Sequence, residues 1–145
     1  MARKPLALLL AGFLSLSLAA ELVGVQMGVP GAGFRPEDLK TYQIAEARNV
    51  FGPGDPAILF VLRWRFEPED VGPLAIEVYL IPPRGELVRI AYTLEVPPAW
   101  VGREIATYAY YRLSPEKVRA RRGTWTAYFL ANGEQKGTAR FELRP

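Results

Sequence analysis

The chain has 145 residues, enough for one domain with an ordinary hydrophobic core, and it contains neither cysteine nor histidine. Without these two residue types, the chain cannot form most nucleophile–base pairs and lacks the usual zinc and copper ligands. We therefore expect a non-catalytic protein without a metal or another cofactor. The 18 basic and 15 acidic residues nearly balance, so charge gives no reason to expect nucleic acid as a partner.

The N-terminal segment has the pattern of a secretory signal peptide. Arg3 and Lys4 precede an apolar run from Leu6 to Leu18, and Ser17 and Ala19 are the small residues expected just before a cleavage site. We therefore predict that residues 1–19 are removed and that the protein is secreted or periplasmic.

A membrane anchor is the alternative interpretation of this apolar run. A transmembrane helix needs roughly 20 apolar residues, and Glu21 follows too early for one. No stable anchor is expected after cleavage. Since Arg3 and Lys4 leave with the signal peptide, the remaining chain has 16 basic and 15 acidic residues, a net charge of +1.

Residues 20–41 are predicted to be an irregular N-terminal segment, because glycine and proline interrupt them repeatedly. Residues 42–145 are predicted to form a single domain. Seven runs there have the alternating apolar pattern of strands, most clearly around Trp64, and Pro- and Gly-rich turns separate them. The predicted strands are 42–50, 57–66, 74–82, 86–96, 103–113, 124–131 and 137–143.

This pattern predicts an all-β fold, an antiparallel β-sandwich of about seven strands, with a jelly roll or a small β-barrel as alternatives. The last two strands form a hairpin around Asn132 and Gly133. A two-residue loop with regular pairing would place Trp125 opposite Arg140, whereas an odd loop would place it on one face with Phe141. The apolar pattern therefore favours an odd loop, with Gly133 at positive φ.

The closing hairpin resembles that of the immunoglobulin-like modules common in bacterial secreted proteins. The residues that carry the resemblance are Gly123, Trp125, Gly133, Phe141 and Leu143. The chain lacks the Cys…Trp…Cys arrangement of antibody domains. Because such modules share architecture without sharing a function, the resemblance implies the fold and assigns no active residue.

Acidic residues offer two further hypotheses. Asp55 and Glu67 lie in turns, and a pair of carboxylates is all that glycoside hydrolysis needs, but nothing in the sequence indicates a raised pKa. Glu67, Glu69 and Asp70 could offer oxygen ligands to calcium, but the spacing of a preformed calcium loop is missing. A solvated acidic turn is the favoured interpretation.

Two groups of residues form the candidate binding surface. Large rings in loops or on an outer strand face supply contact area, and clustered arginines supply donors for carboxylates. The alternatives are tyrosines that cap the sandwich and a solvated basic connection. The candidates are Trp100, Tyr108, Tyr110, Arg119, Arg121 and Arg122.

We expect these residues to bind an envelope or secreted protein, or to give the protein a structural role in the cell envelope. The alternative is a carbohydrate-binding module that stacks polysaccharide on the aromatic rings. A row of coplanar exposed rings would favour sugar, and a long unpaired edge strand or an apolar patch would favour protein.

The signal-peptide hypothesis predicts that the exported protein begins at Ala20. N-terminal sequencing of material recovered outside the cytoplasm tests this directly. An exported protein that still carries Met1 would contradict it.

Overall fold

The computed structural model describes residues 19–145, so the predicted signal peptide, except for Ala19, lies outside the described residues. None of the helices within residues 19–145 has the length and apolar character needed to cross a bilayer. Within these described residues the fold has nine strands and one short α-helix. They are β1 (Glu21–Pro30), β2 (Ile44–Ala47), β3 (Val50–Phe51), β4 (Ala57–Arg65), β5 (Gly72–Ile81), β6 (Val88–Val96), β7 (Glu104–Arg112), α1 (Pro115–Ala120), β8 (Gly123–Ala131) and β9 (Glu134–Leu143).

The strands form two separate sheets, which confirms the predicted β-sandwich and excludes a closed barrel. One sheet has four strands in the order β2-β1-β4-β7, and the other has five in the order β3-β9-β8-β5-β6. Neighbouring strands are antiparallel except for β3, which pairs in parallel with β9. The six later predicted strands lie where the sequence pattern placed them, within three residues at each end.

The core lies between the sheets and is built from the apolar residues of the alternating strands. Trp64, Trp125 and Phe141 are predicted core residues, and all three are buried. Trp125 stacks on Phe141 with ring centroids 5.4 Å apart, and Phe60 meets Phe129 edge to face at 6.1 Å. The alternating pattern therefore identified the inward face correctly.

In the closing hairpin, Trp125 faces the core as predicted, but the loop differs from the predicted one. Its loop has two residues, Asn132 and Gly133, both with positive φ (49° and 80°), so the predicted odd loop is wrong. A β-bulge between Phe129 and Leu130 adds one residue to β9 and restores the register. Trp125 consequently lies opposite Phe141, as the apolar pattern requires, and Gly133 has the predicted positive φ.

The prediction of an irregular segment over residues 20–41 is wrong for its first half, because β1 is a ten-residue strand within the sandwich. The glycines that argued against a strand lie where neighbouring groups approach closely. A Cβ at Gly28 would overlap the backbone of β2, and one at Gly24 would lie 3.1 Å from the Arg63 guanidinium. In β1, glycine allows neighbouring groups to pack closely against the strand and does not form a turn.

The predicted strand 42–50 is divided between the two sheets, since β2 belongs to one and β3 to the other. The chain crosses between them at Arg48. The Arg48 guanidinium forms two hydrogen bonds to the Asp55 carboxylate, at 2.8 and 2.7 Å. This bidentate pair holds the crossing in place, which period-two alternation alone could not predict.

We expect the Trp125→Ala substitution to lower the free energy of unfolding by about 3–5 kcal/mol, because it removes a buried ring. The urea midpoint of the variant, compared with wild type, measures this. Thr124→Ala, at the exposed neighbouring position, is the matched control and should stay within about 0.5 kcal/mol. Equal midpoints for the two variants would contradict the assignment.

Candidate functional site

The sandwich has one open side, formed by β6 and β7. Each is the last strand of its sheet, and no other strand within residues 19–145 pairs with its outer edge. On the opposite side, β1 and β9 lie close enough that a Cβ at Gly137 would stand 2.7 Å from the Leu22 side chain. The open side therefore leaves two nine-residue edges available, whereas the edge strands of the other, closed side, β2 and β3, have only four and two residues.

A groove of about 590 Å³ runs along these two edges. Its walls are mostly apolar, and a segment between β1 and β2 contributes Leu39 and Tyr42 beside β7. The larger side chains that line it from β6, β7 and the connection between them are Ile90, Tyr92, Leu94, Trp100, Tyr108 and Tyr110. Three of the predicted site residues, Trp100, Tyr108 and Tyr110, thus come together in one groove.

Trp100 is less free than its loop position suggested. The turn Pro98–Trp100 places the indole on Phe66, with centroids 6.1 Å apart and ring planes 20° apart. Phe66 in turn stacks on the buried Trp64 at 6.2 Å. The Trp100 ring is half-buried and extends a stack of rings from the core to the groove.

Tyr108 and Tyr110 point away from the core, and Tyr111 points into it. The alternation of β7 predicts that they lie on opposite faces, and the structure shows which face is inward. The two outward rings are half-buried because Tyr42 packs edge to face against both, with centroids 5.5 and 6.2 Å apart. Phe34 meets Tyr42 at 5.0 Å in the same geometry. The rings therefore form an interlocked cluster and not a flat platform.

Sequence reasoning did not include Phe34 or Tyr42 in the candidate surface. Phe34 lies in a segment without a periodic pattern, Tyr42 begins the predicted strand 42–50, and the tertiary fold alone brings both to β7. The Tyr42 hydroxyl donates a 2.6 Å hydrogen bond to the carbonyl of Pro36. Burial raises the pKa of Tyr42 above its ordinary value of 10.0, and the nearby Tyr110 and Glu37 add to this. The ring is therefore neutral at physiological pH.

The groove wall also contains a buried polar contact. The Trp64 indole N–H donates a 2.9 Å hydrogen bond to the buried Thr107 hydroxyl, and the Tyr92 hydroxyl reaches the same oxygen at 3.4 Å. Burial raises the pKa of Tyr92, and the contact with Thr107 opposes that shift. Tyr92, which the alternation of β6 predicts to face inward, therefore spans from the core to the groove.

The predicted arginines do not join this groove. Arg121 donates a 2.8 Å hydrogen bond to the carbonyl of Glu86, in the turn before β6, and its own carbonyl accepts from the Trp125 indole at 2.8 Å. Arg119 and Arg122 are exposed beside it. Trp100 and the arginines lie at opposite ends of β4. This strand has nine residues, each of which adds about 3.3 Å, so the two groups are roughly 30 Å apart.

The basic run is partly structural. The Ser114 hydroxyl caps α1, and Val118 on that helix is buried. The Lys117 ammonium donates a 2.7 Å hydrogen bond to the carbonyl of Arg112 and lies 4.5 Å from the centre of the Tyr111 ring. Burial lowers the pKa of Lys117, with Arg121 and Arg112 contributing in the same direction. The run is therefore not the wholly solvated connection that its charge indicates.

The acidic residues considered as ligands or catalytic groups have structural contacts. Asp70, expected in a solvated turn, is buried, and its carboxylate accepts a 2.8 Å hydrogen bond from the Glu67 backbone N–H. Asp55 is desolvated, which raises its pKa, but hydrogen bonds from Arg48 and the Gly52 backbone outweigh this and lower it. No cluster of three potential ligands for a metal ion occurs in the described part of the chain.

Comparison with known proteins identifies the architecture. No family model and no curated protein matches the chain. Among solved structures, an immunoglobulin-like protein from Pseudomonas aeruginosa is similar over 86% of this chain and 96% of its own, with a TM-score of 0.50 and 13% identity. The fold is an immunoglobulin-like β-sandwich.

A second similar structure is the alkylpurine DNA glycosylase AlkC of Pseudomonas fluorescens, bound to DNA containing an abasic site analogue. The similarity covers 88% of this chain, with a TM-score of 0.57 and 16% identity. This chain spans only 31% of the glycosylase. At these identities the two structures establish the fold alone.

The loop position of Trp100 alone predicts that Trp100→Ala leaves the fold intact. Because the ring stacks on Phe66, we expect this substitution to destabilise the fold. We expect the free energy of unfolding to fall by about 1–3 kcal/mol, less than for a fully buried tryptophan, because the ring is half-buried. Urea unfolding measures the loss, and Arg103→Ala, exposed in the same connection, is the control. A midpoint equal to that of the control would show that the indole stabilises nothing.

Proposed function

We propose that this protein is a non-catalytic, exported β-sandwich module that binds other proteins of the cell envelope through its open side. The observation that carries the proposal is the apolar groove between β6 and β7, flanked by two long edges that lack a strand partner within residues 19–145. Unpaired edges and apolar grooves are two features by which β-proteins recognise polypeptide segments.

The composition of the two edges supports a protein partner. Strands that must avoid pairing are usually very short, bulged, or interrupted by proline or lysine. Both β6 and β7 have nine residues without proline, lysine or glycine. A polypeptide in extended conformation could therefore pair with the backbone of either strand and place alternate side chains in the groove.

The geometry of the rings supports protein over carbohydrate. Sugar rings stack on flat, exposed aromatic faces, whereas Tyr42 meets Tyr108 and Tyr110 at interplanar angles of 61° and 82°. One face of the Trp100 indole is occupied by Phe66. The rings of this cluster thus offer apolar contact area and hydroxyl groups, which suit the side chains of a protein.

The non-catalytic part of the proposal rests on the residues available. The chain has no histidine or cysteine, and Asp55 and Asp70 make structural hydrogen bonds. The exported location rests on the order of basic, apolar and small residues before Ala20. Nucleic acid is not proposed as a partner, because the groove is apolar and the arginines lie at the far end of the sandwich.

Site-specific photo-crosslinking in the native envelope tests the proposal. Ala91 on β6 and Ala106 on β7 lie at the wall of the groove and are the positions for a photoreactive residue, and Thr138 on β9 is the matched exposed control. We expect crosslinked proteins at the first two positions and not at the third. Equal labelling at all three positions would contradict a binding role for the open side.

The arginines give a separate test of the basic run. Arg121→Glu combined with Arg122→Glu should leave crosslinking at Ala91 unchanged if the groove alone binds. A loss of that crosslink, reproduced by added salt, would show that the basic run steers association.

A further inference from the structure

We propose that the β6 edge binds the β6 edge of a second copy of this chain, in an antiparallel pair with its two-fold axis at Tyr92. This inference rests on the proposed function and names one partner of the open side. The pairing would join the five-stranded sheets of two copies into one continuous sheet.

The first support is the regularity of β6. It pairs with β5 along its whole length, from Val88 opposite Leu80 to Val96 opposite Gly72, without a bulge. Its outer edge is therefore straight and presents its backbone groups in strand geometry. The edges at the other ends of the two sheets differ, since β2 has four residues and β3 has two, too short to template a long pairing.

The second support is charge complementarity. An antiparallel pair centred on Tyr92 places residues at equal distances before and after it opposite each other, so Arg89 faces Glu95 of the second copy, and Glu95 faces its Arg89. Opposite charges directly across a strand pair stabilise it, and like charges destabilise it. The symmetric arrangement gives two such pairs in each dimer.

Both charged groups have capacity for this contact. Arg89 uses Nε and Nη2 to bind Glu77 in its own sheet, and its Nη1 makes no hydrogen bond to the described residues. Glu95 lies opposite Pro73 on β5 and forms no salt bridge within residues 19–145. A second copy would provide the cation that Glu95 lacks.

The register is specific. A two-fold axis at Ala91 would place Arg89 opposite Thr93, and an axis at Thr93 would place it opposite Pro97. An axis between two residues would set inward side chains against outward ones, which a continuous sheet does not allow. Only the axis at Tyr92 matches the charges and keeps both faces aligned.

The same register pairs the apolar residues of the inner face. Ile90 would lie opposite Leu94 of the second copy, and Tyr92 opposite Tyr92. These three side chains are half-buried, whereas the inward residues of β5, such as Ile76 and Val78, are fully buried. Pairing would give the inner face of β6 the coverage that the neighbouring strand already has, which supplies the apolar driving force.

Strand β7 has a similar symmetry, with Glu104 and Arg112 equidistant from Tyr108, but its edge is less available. Three of its four inward residues, Thr107, Ala109 and Tyr111, are already buried, and the carbonyl of Arg112 accepts a hydrogen bond from Lys117. The segment before β2 also lies against it through Tyr42. We therefore assign the self-pairing to β6 and use β7 as the matched control.

Sedimentation velocity on the purified protein tests the proposal with a charge exchange. We expect wild type to dimerise, and R89E and E95R each to dimerise at least about tenfold more weakly, because each sets like charges across the pair twice. An equimolar mixture of R89E and E95R should recover the dimer, since each copy then meets opposite charges again. E104R, on β7, should dimerise as wild type does.

The mixture remains a decisive test even if one variant is less stable. An unfolded variant could not restore dimers when it is mixed with the other variant. Urea midpoints confirm that each variant is folded. A wild-type protein that stays monomeric at the highest soluble concentration, a mixture that fails to recover, or dissociation by E104R in place of the β6 variants would overturn the inference.

The mass of the crosslinked product at Ala91 separates this inference from the proposed function. A product of twice the chain mass supports self-pairing. A product with a different protein, formed while wild type sediments as a monomer, overturns self-pairing and leaves the protein-binding function intact.

Discussion

The packing of Trp125 is the interaction on which most of the sandwich depends. Its ring stacks on Phe141 of the neighbouring strand and lies 5.6 Å from Tyr111 of the opposite sheet. Its indole N–H donates to the carbonyl of Arg121, which follows α1. One side chain thus contacts the closing hairpin, the opposite sheet and the basic connection. The bulge in β9 lets this ring face inward although the hairpin loop has two residues.

The two sides of the sandwich are built by different means, and that difference locates the candidate site. On the closed side, glycines at 28 and 137 allow β2 and Leu22 to approach the backbone directly. On the open side, β6 and β7 end their sheets, and a tyrosine cluster and Trp100 partly cover the gap between them. The groove is therefore a consequence of topology, since a sandwich that is not closed into a barrel must leave strand edges somewhere.

Several charged residues in this protein fix backbone segments. Arg48 and Asp55 hold the crossing between the sheets, Asp70 caps a turn, and Arg121 binds the turn before β6. Such contacts show that a local run of charge in the sequence can include residues with structural roles. Glu95 lies on the edge strand β6 and forms no salt bridge within the described residues, so its carboxylate is available to the proposed interface.

The sequence by itself determined the all-β class, the six later strands and the inward face of all of them except β7, because side-chain alternation reports burial whatever the topology. It also identified Trp125 and Phe141 as core. It could not find β1, where glycine serves close packing, nor the bulge, since loop parity and a bulge correct the register equally well. Only the tertiary structure brought Tyr42 to Tyr108, stacked Trp100 on Phe66 and separated the arginines from both. Those placements depend on which strands end each sheet, and strand order arises from contacts between residues distant in the chain.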